Sequence, residues 1–271
     1  MIYRMRIPRT PLSYFVENLW FYQDLEVDHT REKLLPDAAV ELIIDLSEGP
    51  KKLYDRQDSL SYTGYKRYWI SGMQSRYIVI GAEKGSTMMG AHFRTGGAAP
   101  FFGFPISELT GHVVELDLIW KDEILSLRDR LLEAPVADKK FDLLEAYLLR
   151  KAQSRLEPDQ TISAALAALR SWPVIPLREL ASRLGLSHKQ MVARFDCRVG
   201  LTPKLASRIL RFRKSLTSAY ASTDPDWPDL AAACGYYDQA HFIHEFQQFA
   251  GMTPSQYYRL RSEYPHYIPL D

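Results

Sequence analysis

Cysteine is nearly missing from this sequence: 271 residues contain two, Cys197 and Cys234, and residues 1–155 contain none. That count excludes a disulfide-stapled scaffold. It also excludes thiolate chemistry in the N-terminal half, where no thiol exists to be activated. No apolar run approaches the ~18 residues of a membrane span. The opening MIYRMRIPRTPLSYF is basic but has no apolar stretch of signal-peptide type. A reducing cytoplasm and no membrane contact are therefore expected. Catalytic patterning is equally sparse. Asp37, Glu41, Asp45, His92, Arg94 and His112 are scattered through the first half, with no nucleophile and base at a recognisable spacing, so neither an enzyme nor a cofactor is expected.

What is present is enough chain for two moderate cores, at 46% apolar content. The net charge of +1 hides an uneven distribution. Pro176 to Leu216 carries ten Lys and Arg against Glu179 and Asp196, whereas from Thr217 onward Arg259 and Arg261 face seven acids. A basic block of this density is the electrostatic footprint of phosphate binding.

The basic block overlaps an internal repeat. With Ser187 placed on Asp238, one constant offset brings Met191 onto Phe242, Phe195 onto Phe246, Gly200 onto Gly251 and Thr202-Pro203 onto Thr253-Pro254. One residue inserted at Tyr236-Tyr237 shifts the upstream part, so that Leu180 meets Leu230, Ala181 meets Ala231, Leu184 meets Cys234 and Gly185 meets Gly235. A period of about 50 residues marks a duplicated supersecondary unit. Each copy reads as helix, glycine turn, helix. Ser187 and Asp238 are natural N-caps, the first completed by Gln190 as a capping box; Thr253 and Gln256 form another. Met191, Phe195 and Val199, with Phe242, Phe246 and Ala250, repeat at i, i+4, i+8 and should face inward. This is the pattern of a helix-turn-helix.

The repeat also decides a metal question. Cys234, His241 and His244 are the residue types of a zinc site, but tetrahedral zinc needs four ligands. Cys234 falls on a core leucine position, and Cys197 lies in the other copy, so no metal is expected.

Two such units joined by a helix resemble the DNA-binding domain of the AraC/XylS transcription regulators. The resemblance rests on LRELASRLGLSHKQMVARFDCRVGLTPK and DLAAACGYYDQAHFIHEFQQFAGMTPSQYYR and covers Thr161 to about Arg261. It implies a transcription factor, an activator by the habit of the family, with double-stranded DNA and RNA polymerase as partners. In a helix-turn-helix the start of the second helix enters the major groove. Lys189 and Val192 are the candidates for base edges, with His188 at the helix entrance; lysine donates to guanine and valine packs on a thymine methyl. Arg194 and Arg198 lie on the flank, facing phosphate. In the second unit Gln239, Ala240, Ile243, His244 and Gln247 point outward, with His241 beside them. Here the sequence departs from its relatives, which often carry arginine at the places of Ala193 and His244, and the base preference stays open. On the joining helix Arg208 and Arg211 are assigned to phosphate. For each of these residues a solvated or structural role is the competing reading, and for His241 a half-buried ring is preferred.

The first half shows short runs, VELIIDL, RYWI, RYIVI and TMMGAHF, separated by turn residues, followed by helical patterns at Asp122–Glu133 and Asp138–Leu156. KLLPDAAVELIIDL and GAHFRTGGAAPFFGFPISELTGHVVELD resemble an N-terminal domain found ahead of this DNA-binding domain in part of the family. The alkyl-transfer repair domains that some relatives carry are excluded by the missing cysteine. The expected fold is α+β: a β-rich, barrel-like (cupin-like) sensor or dimerisation domain with helices over 1–156, then an all-α DNA-binding domain over 157–271. Its two units span about 176–200 and 227–251, and the joining helix about 203–218. Arg94, ahead of Gly96-Gly97, faces either an anionic ligand or, preferably, a nearby carboxylate. Two readings of the N-terminal half stand: a small-molecule sensor, recognised by a deep apolar cavity, or a homodimerisation or interaction module, recognised by a filled barrel with an exposed apolar patch.

Overall fold

The four apolar runs become strands within a larger antiparallel set. In the computed structural model, which describes residues 1–152, 156–171 and 175–270, ten strands lie in the N-terminal half. They are β1 (Ile2–Arg6), β2 (Val16–Gln23), β3 (Arg31–Leu34), β4 (Glu41–Asp45), β5 (Lys51–Tyr54), β6 (Tyr62–Tyr65), β7 (Tyr68–Ser71), β8 (Ile78–Gly81), β9 (Met88–Phe93) and β10 (Val113–Glu115). One sheet has the order β1-β2-β9-β4-β7-β10. The central strands β4 and β9 are buried along nearly their whole length, which is why they read as continuous apolar runs without alternation. Strand β1 sits at the edge with most of its side chains exposed.

Helices α1 (Asp117–Trp120), α2 (Asp122–Glu133) and α3 (Ala137–Lys151) follow. Helix α2 has the expected bounds. Helix α3 stops at Lys151, short of the expected Leu156, and residues 153–155 of that expectation lie outside the described ones. The C-terminal half holds α4 (Gln160–Arg170), α5 (Leu177–Arg183), α6 (His188–Arg198), α7 (Pro203–Ala221), α8 (Trp227–Ala233), α9 (Gln239–Ala250) and α10 (Pro254–Leu260). The two repeats are α5-α6 and α8-α9, and α7 is the joining helix.

The last element departs from an all-helical C-terminal half. Tyr267–Leu270 forms β11, which pairs antiparallel with β3 of the N-terminal half, Tyr267 opposite Leu34 and Leu270 opposite Arg31. It becomes the outer strand of the second sheet, β11-β3-β8-β5-β6. An outer strand tolerates Pro269, whose missing N–H leaves one ladder bond unmade. Nor does the core stop near residue 156. Phe93, Phe101 and Ile106 belong to the same buried cluster as Ile162, Leu166, Val199 and Phe212. Each large side chain fully removed from water contributes about 1.5–3 kcal/mol, so the two halves stabilise one another as well as themselves.

The C-terminal strap carries a titratable group. The backbone carbonyl of His266 accepts from the Leu35 N–H at 2.9 Å. Burial pushes its imidazole down to about 4 from an ordinary 6.5, and its Nδ1 has no hydrogen-bond partner. The docked strap therefore accommodates the neutral ring. For a base whose pKa is depressed by docking, the stabilisation is intact above about pH 6.5 and is lost as pH falls toward 4. Amide exchange at Ile268 and Leu270 should accelerate several-fold between pH 7 and pH 5, after correction for intrinsic exchange, and His266→Asn should remove that acceleration. Equal correction-normalised exchange at both pH values in the native chain would show that the ring does not govern the strap.

Candidate nucleic-acid interface

Both units are built as their sequences dictate. In the first, the Ser187 hydroxyl accepts from the Gln190 N–H and the Gln190 side chain accepts from the Ser187 N–H, closing the capping box. In the second, the Asp238 carboxylate alone caps, accepting from the His241 N–H at 2.7 Å. Met191, Phe195, Val199, Phe242, Phe246 and Ala250 are all buried, and so is Cys234. The cysteine is a core residue, and among the described residues no group of three potential ligands could hold a metal ion.

Of the ten residues assigned to DNA, six are presented outward. His188, Lys189, Arg198, Gln239 and His244 are exposed, and Val192 is half-buried. The other four have partners inside the protein. Arg194 grips Asp159 with two nitrogens, at 3.0 and 3.1 Å, and Asp159 is itself the N-cap of α4. Arg208 and Arg211 converge on Glu245 of α9, a carboxylate only 4% exposed, at 2.5 and 2.9 Å. Arg208 also donates to the Gln248 side chain. Arg211 also donates to the Gly235 carbonyl and lies over the Tyr236 ring at 4.5 Å. His241 is half-buried, its ring edge-on to Tyr236 and its Nε2 3.7 Å from Glu245.

Arg208 and Arg211, expected to face phosphate, are thus engaged inside the protein by a buried carboxylate. Burial alone would raise the Glu245 pKa, but the two guanidiniums outweigh it and hold the carboxyl below its ordinary value. A carboxylate ionised in that position requires its cations. Ile209, Phe212 and Leu216 form the buried stripe of α7, legible as apolar spacing; no comparable pattern in the sequence signals that the neighbouring arginines face an acid in the next repeat.

A second feature was illegible in the sequence. Both recognition helices end against the N-terminal half. The Gly200 carbonyl accepts from the Thr110 hydroxyl at 2.6 Å, and Ser107 donates to Asp196 at 3.0 Å. Gly200 has φ +84°, and a Cβ there would come within 2.4 Å of the Met73 side chain and 2.9 Å of the Ile106 backbone. In the second unit the Phe249 carbonyl accepts from the Tyr77 N–H at 2.8 Å. A Cβ on Gly251, at φ +67°, would meet the Tyr77 ring at 2.3 Å. Left-handed backbone and a close approach therefore both demand glycine at the two repeat-related positions. The Gly96-Gly97 turn is part of the same contact, with Ile162, Leu166 and Val199 around Gly96. Arg94 there donates to the Ser13 carbonyl at 2.8 Å, where a carboxylate partner was expected.

Residues 4–115 match a domain of unknown function (DUF6597). Residues 180–260, from α5 to the end of α10, match a helix-turn-helix domain. Among solved structures the chain resembles ToxT from Vibrio cholerae O395, with a TM-score of 0.49 and 9% identity over 97% of this chain and 99% of that one. It also resembles unsaturated fatty acid bound ToxT from Vibrio cholerae strain SCE256, with a TM-score of 0.47 and 11% identity over 89% and 93%. No curated protein matches the sequence.

Removing both arginines should test the framework role. Arg208→Ala with Arg211→Ala leaves Glu245 buried without a strong cation, a change expected to cost about 3–5 kcal/mol of unfolding free energy. Urea denaturation of the full chain measures it. A loss below about 1 kcal/mol would return these arginines to solvent.

Proposed function

With an AraC-type helix-turn-helix domain occupying residues 180–260 as the starting point, we propose that the chain is a sequence-specific DNA-binding transcription regulator whose N-terminal half sets the posture of two reading helices. The observation that carries this reading is the pair of capped helices α6 and α9, which present Lys189 and Val192, and Gln239 and His244, on outward faces while every inward position is buried. Ion pairs fix α6 to the start of α4 and α9 to α7. Two reading helices so held suit successive major grooves, about 34 Å apart along the duplex. RNA polymerase is the natural second partner of such a regulator.

For the N-terminal half, the packing favours the interaction reading over the small-molecule effector. Leu12, Leu19, Leu35, Phe93 and Phe101 fill the interior to 2% exposure or less. Two clefts run along the surface, one against α9 and one along α2 and α3. Edge strand β1 and the residues beside it expose Ile2, Tyr3, Met5 and Ile7, an apolar edge of the kind that pairs with another chain. A homodimer through the N-terminal half is the simplest form of that reading.

Selection of duplexes from a random pool by the full chain tests the function. Lys189→Ala should weaken binding to the selected duplex by roughly 1–3 kcal/mol and relax preference at one base pair. Gln239→Ala and His244→Ala should cost less, because the second unit contributes little charge. If Lys189→Ala is silent while Gln239→Ala abolishes binding, the second unit is the main reader. If no duplex is enriched, the assignment fails.

A further inference from the structure

The second unit lacks cations. From Thr217 onward the sequence offers Arg259 and Arg261, and Arg261 is turned back onto its own helix, over the Tyr258 ring at 3.5 Å. Of the basic residues on α7 beside it, Arg208 and Arg211 are consumed by Glu245, and Lys214 donates to the Ala233 carbonyl at 2.8 Å at the end of α8. A helix in the major groove is bordered by phosphate on both sides, and phosphate contacts are what fix its register. The second reading helix therefore needs positive charge from elsewhere in the protein.

The N-terminal half stands beside it. A cleft of about 840 Å³ is walled on one side by His244, Gln247, Gln248 and Gly251 of the second unit, and on the other by the β5–β6 turn and the β7–β8 loop. The second wall contributes Arg56 and Arg76, both exposed. Among the described residues Arg76 has no hydrogen-bond or ion-pair partner, and Arg56 feels only the charge of the adjacent Asp55. Asp55 is the acid of the cleft, but its carboxylate is directed into its own turn, accepting from the Gln57 and Asp58 N–H groups at 2.7 and 3.1 Å. His244 and Gln247 lie on the same outward face of α9 as Gln239. A duplex seated on that face brings its sugar–phosphate backbone past the arginine wall.

Resting on the DNA-binding reading above, we propose that Arg56 and Arg76 of the N-terminal half bind the DNA backbone alongside the second helix-turn-helix, supplying the phosphate contacts that this acidic unit does not make itself. The N-terminal half is then part of the DNA-binding surface. Arginine suits the task because its guanidinium pairs with phosphate oxygens through two nitrogens. The contact reads no sequence, so it strengthens selected and unrelated duplexes alike.

The experiment uses the full chain, with a duplex recovered by selection and an unrelated duplex of equal length, titrated over a range of salt. Each phosphate contact contributes about 0.9 to the slope of log affinity against log salt. Arg56→Ala with Arg76→Ala should therefore make the slope shallower by about 1.8 and lower the affinity for both duplexes by on the order of tenfold at moderate salt. Arg76→Lys should retain most of the slope, and ethylation interference should lose phosphates beside the half-site read by α9 only in the alanine variant. An unchanged slope overturns the proposal, including the case where affinity falls at constant slope, which is the signature of altered posture without lost phosphate contacts. If the native chain binds neither duplex, the DNA-binding reading itself falls; if the native chain binds and the variant matches it, only the role of the arginine wall falls.

Discussion

The arrangement of the C-terminal half depends on one buried carboxylate. Glu245 sits in the middle of the second recognition helix, ionised in an apolar setting, and two arginines of the joining helix hold it there. An ion removed from water must be matched by good geometry or be lost as a proton, so α7 and α9 have little freedom to slide. The first repeat carries a more exposed pair at the same position with the charges exchanged. The offset that places Ser187 on Asp238 also places Arg194 on Glu245, and Arg194 is clamped by Asp159 at the start of α4. In each copy the recognition helix is tied through the same position to the helix that precedes its unit. The duplication is therefore one of three-helix units, α4-α5-α6 and α7-α8-α9, with the sign of the fixing charge reversed.

Those two rigid units share a platform. Gly72 donates to the His112 carbonyl and Gly111 donates to the Met73 carbonyl, each at 2.9 Å, which joins the loop after β7 to the segment before β10. From this one platform Met73, Ile106 and Thr110 reach the end of α6, and Tyr77 reaches the end of α9. A displacement of the sheet that moved this loop would move both reading helices. The strap β11 closes the same arrangement from the other end of the chain. Arg213 of α7 faces Glu17 of β2 at 3.5 Å, adding a partly exposed pair whose own contribution is small.

What the sequence made legible was whatever is local or repeated. Capping by Ser187, Asp238 and Thr253, proline at the first helical position, and the inward stripes all follow from spacing within a single copy, and the comparison of copies identified Cys234 as core. Strands β4, β7, β8 and β9 were legible because they are apolar and central. The edge strands β1 and β11 were not, since YRMR and YIPL have no alternation long enough to separate strand from loop. Side-chain partners far apart in the chain were invisible for a different reason. A row of arginines on a helix looks the same whether it faces phosphate or a buried glutamate 34 to 37 residues away, and charge counting alone does not reveal the Glu245 partner of Arg208 and Arg211. The closing glycines were recognised as helix ends, but their second duty, allowing the N-terminal half to approach, needs the tertiary structure.

A filled N-terminal interior changes how regulation can work. A ligand in a deep pocket acts by binding one posture of the sheet better than another, and its leverage is limited to that difference in affinity. On the interaction reading proposed above, the N-terminal half would act on the reading helices through surfaces: the platform, the strap and the edge strand β1. The edge strand and the platform belong to one sheet, β1 running through β2 and β9 to β4 and β7, the strand that leads into the platform, whereas the strap belongs to the other sheet. A second chain added at β1 would therefore bind to the same sheet that positions α6 and α9. Packed sheets transmit displacement because their interiors do not compress. On the same interaction reading, pairing at β1 would couple oligomerisation to the spacing of the two reading helices, with the N-terminal half acting as the ruler.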